Sequence, residues 1–258
     1  MSSRLEALKA FVRWAGSLFF GQTPSVHRIP FGPIKGRYLF ISFDISPRMY
    51  FGIDEPWIAE LARQYVKPND VIYDIGTHIG YTLVLFAHYL DSTGEIHAFE
   101  ILPSTTEFLK KTIVANGFNN VVIHNVGLGS EDQILELPIG KTVMTSMYST
   151  AKNGEKTQIC TVVPLDKYVS QNEIPLPSLL KIDIEGAEID CLKGALNLIK
   201  RCLPLMIIEF HSKELLKEGF SVLKPLGYRL VTRAEGIGDE KEMQKLDRFP
   251  QNILCVAA

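Results

Sequence analysis

Val71-Ile-Tyr-Asp74-Ile-Gly76-Thr-His78-Ile-Gly80-Tyr81 is the stretch that decides the fold. An apolar run ends in D-x-G-x-x-x-G and passes at once into a second apolar segment, the pattern of a buried strand, a tight turn and a helix. Glycine at 76 and 80 lets the backbone take positive φ and leaves no Cβ to block a ligand. In open α/β sheets such turns lie at the carboxyl ends of strands, where ligands bind. Working outward, strands are predicted at 71–75, 95–99, 121–126, 179–184 and 205–210. Helices are predicted at 79–90, 104–116 and 186–200, the last with Leu192, Ala195, Leu196 and Ile199 on one face. Alternating strands and helices require crossover connections and hence a parallel sheet covered on both faces. The class is α/β, doubly wound.

Either side of this frame the pattern changes. Apolar positions 5, 8, 11, 12, 15, 18 and 19 recur at helical spacing, and Gly, Pro and aromatic residues over 27–53 read as short strands or a hairpin. Residues 1–55 are therefore taken as an N-terminal helix and hairpin extension, and 56–258 as the main domain, which opens on the helical stripe Trp57, Ile58, Leu61, Ala62, Tyr65 and Val66. The segments 131–150 and 157–169 suggest antiparallel excursions tipped by Gly140 and Asn153-Gly154. Strands are expected at 228–232 and 252–256, and the polar stretch between them reads as a loop or lid. The aromatic strands near Tyr38–Phe51, read as exposed, suggest a partner surface and a homo-oligomer.

Composition excludes several classes. The 258 residues carry 27 Lys+Arg against 29 Asp+Glu, with 46% hydrophobic and 22% charged residues, which is a globular balance. A net charge of −2 gives no general attraction to nucleic acid, and no basic stripe or Asn-Pro-Pro-aromatic signature is present. Cys160, Cys191, Cys202 and Cys255 form no CxxC pair, against zinc ligation or a redox dithiol. Lys9 and Arg13 interrupt the one stretch resembling a leader, so neither stable membrane insertion nor secretion is expected and the default location is cytoplasmic. The expected partner is a small molecule.

Two constellations carry chemistry. Ile96-His-Ala-Phe99 ends at Glu100, a carboxylate able to accept hydrogen bonds from both ribose hydroxyls of a nucleoside cofactor. The turn opens with Asp74 and lacks the G-x-G-x-x-G that presents amides to a pyrophosphate. An acid there repels phosphate and suits an amino group or a sulfonium, favouring S-adenosylmethionine over NAD. Further on, Lys181-Ile-Asp183-Ile-Glu185-Gly-Ala-Glu188 and Glu209-Phe-His211 end at the same sheet edge. If the strand stays extended, Lys181, Asp183 and Glu185 share one side. Glu185 and Glu188 fall in a first helical turn, where the dipole alone favours acids, whereas Asp183 and Glu209 end strands of Leu and Ile and need partners. Asp183, Glu209 and His211 are the candidate catalytic residues, with His211 or Asp183 as base for an acceptor hydroxyl. With Glu185 they also form a candidate set for Mg or Mn, although no ligand spacing compels a metal.

VIYDIGTHIGY, IHAFEILP, VPLDKYV and LLKIDIEGAEIDCLKGA, in this order and spacing, resemble the FkbM family of S-adenosylmethionine-dependent methyltransferases. The resemblance covers about residues 50–211, and KIDIEGAE is its most specific element. It implies a seven-stranded, mostly parallel sheet of order 3-2-1-4-5-7-6 with an antiparallel final strand. It also implies S-adenosylmethionine held by Asp74, Gly76, Gly80 and Glu100, and methyl transfer to a hydroxyl of a sugar or natural product. Thr77 and His78 stand where the family commonly has Ala-Asn, which puts an imidazole beside the cofactor's methionine moiety; alternatively His78 caps the following helix. Ile101 replaces the usual Pro after Glu100. Two other readings are an NAD(P)-dependent oxidoreductase on the same fold and a non-catalytic methyltransferase-like binding module.

Overall fold

A computed structural model describes residue 16 and residues 23–139, 149–151, 154–233, 236–237 and 252–257. The predicted N-terminal helix apart from residue 16, the hairpin tips Gly140 and Asn153, and most of the polar lid segment lie outside the described residues.

The described residues begin with β1 (Ser25–Arg28), β2 (Tyr38–Ile41), α1 (Pro47–Phe51) and α2 (Pro56–Tyr65). There follow β3 (Val71–Ile75), α3 (Tyr81–Ala87), β4 (Glu95–Phe99), α4 (Pro103–Asn116), β5 (Val121–His124) and β6 (Gly127–Leu128). Next come β7 (Gln133–Pro138), β8 (Thr157–Val163), α5 (Leu165–Gln171), β9 (Leu179–Ile182), α6 (Glu188–Gly194) and α7 (Leu196–Cys202). The last elements are β10 (Leu205–Glu209), α8 (Lys213–Leu223), β11 (Tyr228–Val231), β12 (Gly236–Ile237) and β13 (Asn252–Ala257).

The main sheet runs β5-β4-β3-β9-β10-β13-β11, and β13 is antiparallel to both neighbours. In order of the seven long strands this is 3-2-1-4-5-7-6, with the two-residue β12 added at the far edge as an eighth. Its central strands are continuous apolar runs because helices cover both faces, and each face has its own core. One core contains Ile29, Ile34, Leu39 and Ile41 together with Ile72, Ile96 and Ile207, so the extension packs into the same interior as the sheet. β7 and β8 form the expected antiparallel excursion as far as Val163, with β6 as a third strand; the rest of the stretch read as 157–169 is helix α5.

Three expectations are corrected. The predicted helix 186–200 is two helices, Glu188–Gly194 and Leu196–Cys202, parted at Ala195, whose φ and ψ are −115° and 6°. The new start at α7 is capped by Asp166, which accepts from the Asn197 and Leu198 amides at 2.9 and 2.7 Å. The strand predicted at 179–184 stops at Ile182, since Glu185 and Gly186 take φ of 54° and 105°. The aromatic residues near Tyr38–Phe51 are packed within the chain and do not form an exposed strand face. Phe40 meets Phe108 edge-on at 5.0 Å, Phe43 meets Tyr50 at 5.6 Å, and the outer edge of β2 is bonded to Thr112 and Asn116 of α4. Among the described residues no helix is long and apolar enough to cross a membrane.

Beneath the sheet edge, His97 Nδ1 and His124 Nε2 share a hydrogen bond of 2.9 Å, flanked by Glu95 and by the Tyr168 hydroxyl. Burial, then His97, pushes His124 down to about 4. The fold thus favours neutral His124, so its stability contribution is intact above 6.5 and lost as pH falls toward 4. The thermal midpoint is expected to drop across this window, and His124→Asn to flatten that drop in a pH series of melting curves.

Candidate active site

The turn after β3 is shaped first by its own packing. At Gly76, φ is 80° and a Cβ would lie 1.8 Å from the Asp183 carbonyl oxygen, so glycine is what lets the tips of β3 and β9 meet. Gly80, with φ 94°, is the N-cap of α3 and abuts Leu109 and Thr112. His78 does not cap the helix: it takes left-handed backbone with φ 54°, and its amide donates to Glu100 Oε2 at 2.9 Å. Its Nε2 is buried without a partner among the described residues, and burial pushes the imidazole down to about 4, so it is neutral. Glu100 also accepts from the Leu102 amide at 2.9 Å, and burial pushes its carboxyl up to about 7 despite both amides.

Asp74 lies below this turn, fully buried. Its Oδ2 accepts from the Thr82 hydroxyl at 2.9 Å and its Oδ1 is 4.0 Å from Lys181 Nζ. Lys181 also donates to Asp183 at 2.8 Å. Burial alone would strip the Lys181 proton, but Asp183 and Asp74 override it and hold the ammonium above its ordinary range. The extended chain needed to place Lys181, Asp183 and Glu185 on one side does not persist: Lys181 points inward, and Asp183 and Glu185 lie on the turn beyond it.

The acids then close around His211. Glu188 is wholly buried, and its Oε1 accepts from the Gly186 amide and meets His211 Nδ1, each at 2.8 Å, a tighter role than a helix dipole alone gives. His211 Nε2 faces Glu185 at 3.4 Å and Asp183 at 3.7 Å. The bond to Glu188, against the opposing effect of burial, raises His211 to about 9. Ligand atoms of Asp183, Glu209 and His211 come within 4.8 Å of one another, and burial, then Asp183 and Glu55, pushes Glu209 up to about 7.

A cleft of about 990 Å³ opens over these groups. One end is apolar, with Phe99, Ile101, Val126 and Leu128; the other carries Glu55, Asp183 and Glu185. Of the residues singled out from sequence, Gly76, His78, Glu100, Asp183 and Glu185 line it; Asp74 and Gly80 do not, and the half-buried Glu209 and His211 stand beside it, His211 against Asp183 and Glu185. Lys181, expected at this sheet edge without a role, lines it too, as do Glu55 and Met49, which no motif marks. Among the described residues five non-glycine residues have positive φ, and three of them, Glu55, His78 and Glu185, border this cleft. Strain of this kind concentrates where a site requires it.

A doubly wound sheet with an acid-edged cleft at the tips of its first, second and fourth strands defines a nucleoside-binding class of fold. The chain belongs to the family described as the methyltransferase FkbM domain, which matches residues 74–230. It is 24% identical over 155 residues to the hexuronic acid methyltransferase AglP of Haloferax volcanii, a match covering 60% of this chain and 62% of that one. It is 30% identical over 149 residues to Methyltransferase 1 of Beauveria bassiana, covering 49% of this chain and 59% of the relative. The chain thus spans about six-tenths of the length of these relatives. A solved structure of the methyltransferase FkbM from Methylobacillus flagellatus aligns with a TM-score of 0.49 and 19% identity, covering 73% of this chain and 44% of that one.

Lys181 is the group whose removal tests this architecture. Lys181→Met leaves Asp74 and Asp183 facing each other without a cation and is expected to cost about 3–5 kcal/mol in chemical denaturation. Adding Asp74→Asn should recover part of that loss.

Proposed function

We propose that the protein is an S-adenosylmethionine-dependent methyltransferase that methylates a hydroxyl oxygen of a small molecule, a sugar or natural product. The observation that carries this reading is the polarity of the cleft: an apolar end beside Glu100, and an acid-rich far end. The cofactor has the matching pattern, with an apolar base, a ribose and a cationic tail. Adenine would lie against Phe99, Ile101, Val126 and Leu128. Glu100 spends one lone pair of each oxygen on an amide, leaving the others for ribose hydroxyls. Gly76 and His78 flank the tail. Asp74 and Gly80 act from below, Asp74 through Thr82 and Lys181, Gly80 by starting α3. A dinucleotide fits poorly, because Glu55, Glu100, Asp183 and Glu185 would surround its pyrophosphate. That the catalytic acids remain assembled argues against a purely binding module.

The cofactor supplies an activated methyl group and its leaving group; the chain's task is to hold the acceptor oxygen in line and take its proton. Asp183 borders the cleft and orients the hydroxyl. His211 stands behind it, and at about 9 it is an imidazolium at neutral pH, so the resting protein does not present it as a base. A cation in the cleft disfavours that charge, and the neutral imidazole then takes the hydroxyl proton on Nε2. Glu188 holds the ring through Nδ1, and Glu209, titrating near neutrality, is the second proton acceptor. We assign no resident Mg or Mn to Asp183, Glu185, Glu209 and His211, because Lys181 and His211 already contact Asp183, and His211 also contacts Glu185. The similarity to AglP supports a sugar acceptor.

Titration calorimetry should show S-adenosylmethionine binding and no binding of NAD; the reverse result ends this reading. Because Glu100 must be ionised to accept from ribose and titrates near 7, affinity should weaken as pH falls below that value, and Glu100→Gln should bind weakly at every pH. His211→Ala should lower turnover of labelled methyl transfer by about 10²-fold or more while changing cofactor affinity little. Wild-type turnover should climb toward pH 9 and survive chelator treatment.

A further inference from the structure

Glu55, the last residue of the N-terminal extension, lines the cleft, and its backbone is held where a non-glycine residue seldom rests. Its φ and ψ are 43° and 53°, directly before Pro56, yet its side chain makes no capping bond to α2. Its carbonyl accepts the first helical bond from the Ala59 amide at 3.0 Å, and the carboxylate is left for the cleft. The neighbouring strap is tied on both sides: Arg48 donates to Asp54 Oδ1 at 2.7 Å, and the Tyr81 hydroxyl donates to the Asp54 carbonyl at 2.9 Å. The result is a carboxylate fixed over the site with one oxygen accepting from Asn252 Nδ2 at 3.2 Å. Asn252 begins β13 opposite Glu209, so Glu55 stands on the acidic side of the cleft.

Among the described residues no cation pairs with Glu55. Arg48 is spent on Asp54, and Lys181 on Asp183 and Asp74. Burial, then Asp54, pushes its carboxyl upward, the response of an acid lacking a counter-charge. Glu100 stands at the tip of β4, while Asn252 lies across β3, β9 and β10. A ligand whose ribose rests on Glu100 thus directs its other end toward Glu55.

We propose that Glu55 is the counter-charge for the α-ammonium of the amino-acid end of S-adenosylmethionine. This rests on the cofactor reading above and adds a residue to it. The test is calorimetry on wild-type protein and Glu55→Gln, which keeps the size and the Asn252 contact, with three probes. S-adenosylmethionine carries ammonium and sulfonium, S-adenosylhomocysteine the ammonium alone, and methylthioadenosine neither. The variant should weaken the first two by about tenfold each, the scale of one charge-assisted hydrogen bond, and leave methylthioadenosine unchanged. Glu55→Asp should fall between. Equal affinity of both proteins for all three overturns the proposal. A loss confined to S-adenosylmethionine overturns it in favour of the sulfonium, and a loss that includes methylthioadenosine overturns it in favour of general damage to the cleft. If the wild-type protein binds no probe, the cofactor reading itself fails and Glu55 falls with it.

Discussion

One buried ammonium holds the working edge together. Lys181 reaches from β9 to Asp183 on the same chain turn and approaches Asp74 on the adjacent β3, so the two central strands end in a shared charge cluster. An unpaired charge at this depth would be strongly unfavourable, which fixes the ionisation of the cluster as well as its shape. Everything above depends on this. Gly76 can lie on the Asp183 carbonyl only if the two tips stay in register, and the cleft floor is built from that contact.

Above the cluster, charge is distributed in two tiers. In the lower tier Asp74 is bonded to Thr82 and Glu188 to His211, and Lys181 links it to the upper tier through Asp183. The upper tier of Glu55, Glu100, Asp183 and Glu185 faces the opening. The acids of the upper tier outnumber the available cations, and burial raises Glu55, Glu100 and Glu185. Such a surface selects for positive ligands before any specific contact forms.

The frame of this arrangement was legible in the sequence because parallel strands buried on both faces are uninterrupted apolar runs, and the D-x-G-x-x-x-G turn marks where they end. The residues bordering the cleft were only partly legible. Asp74 and Gly80 stand out in the motif yet lie beneath it, since a motif gives position along the turn and not which side chains face outward. The second helix after Ala195 is capped by Asp166, far away in the chain, and no local pattern announces that partner. Glu55 carried no signal beyond an acid before proline; its importance comes from α2 and β13 meeting across the site. His211 was found by its place after β10, but its protonation is set by Glu188, reached only when α6 folds against that strand.

The insertion of β13 between β10 and β11 has a consequence for synthesis. Ribosomes deliver β10 and β11 first, and the strand that joins them, residues 252–257, arrives afterwards. Until then both earlier strands expose an unpaired edge, and Asn252 is not there to brace Glu55. The nascent chain thus passes through an aggregation-prone stage in which Glu55 lacks its Asn252 partner.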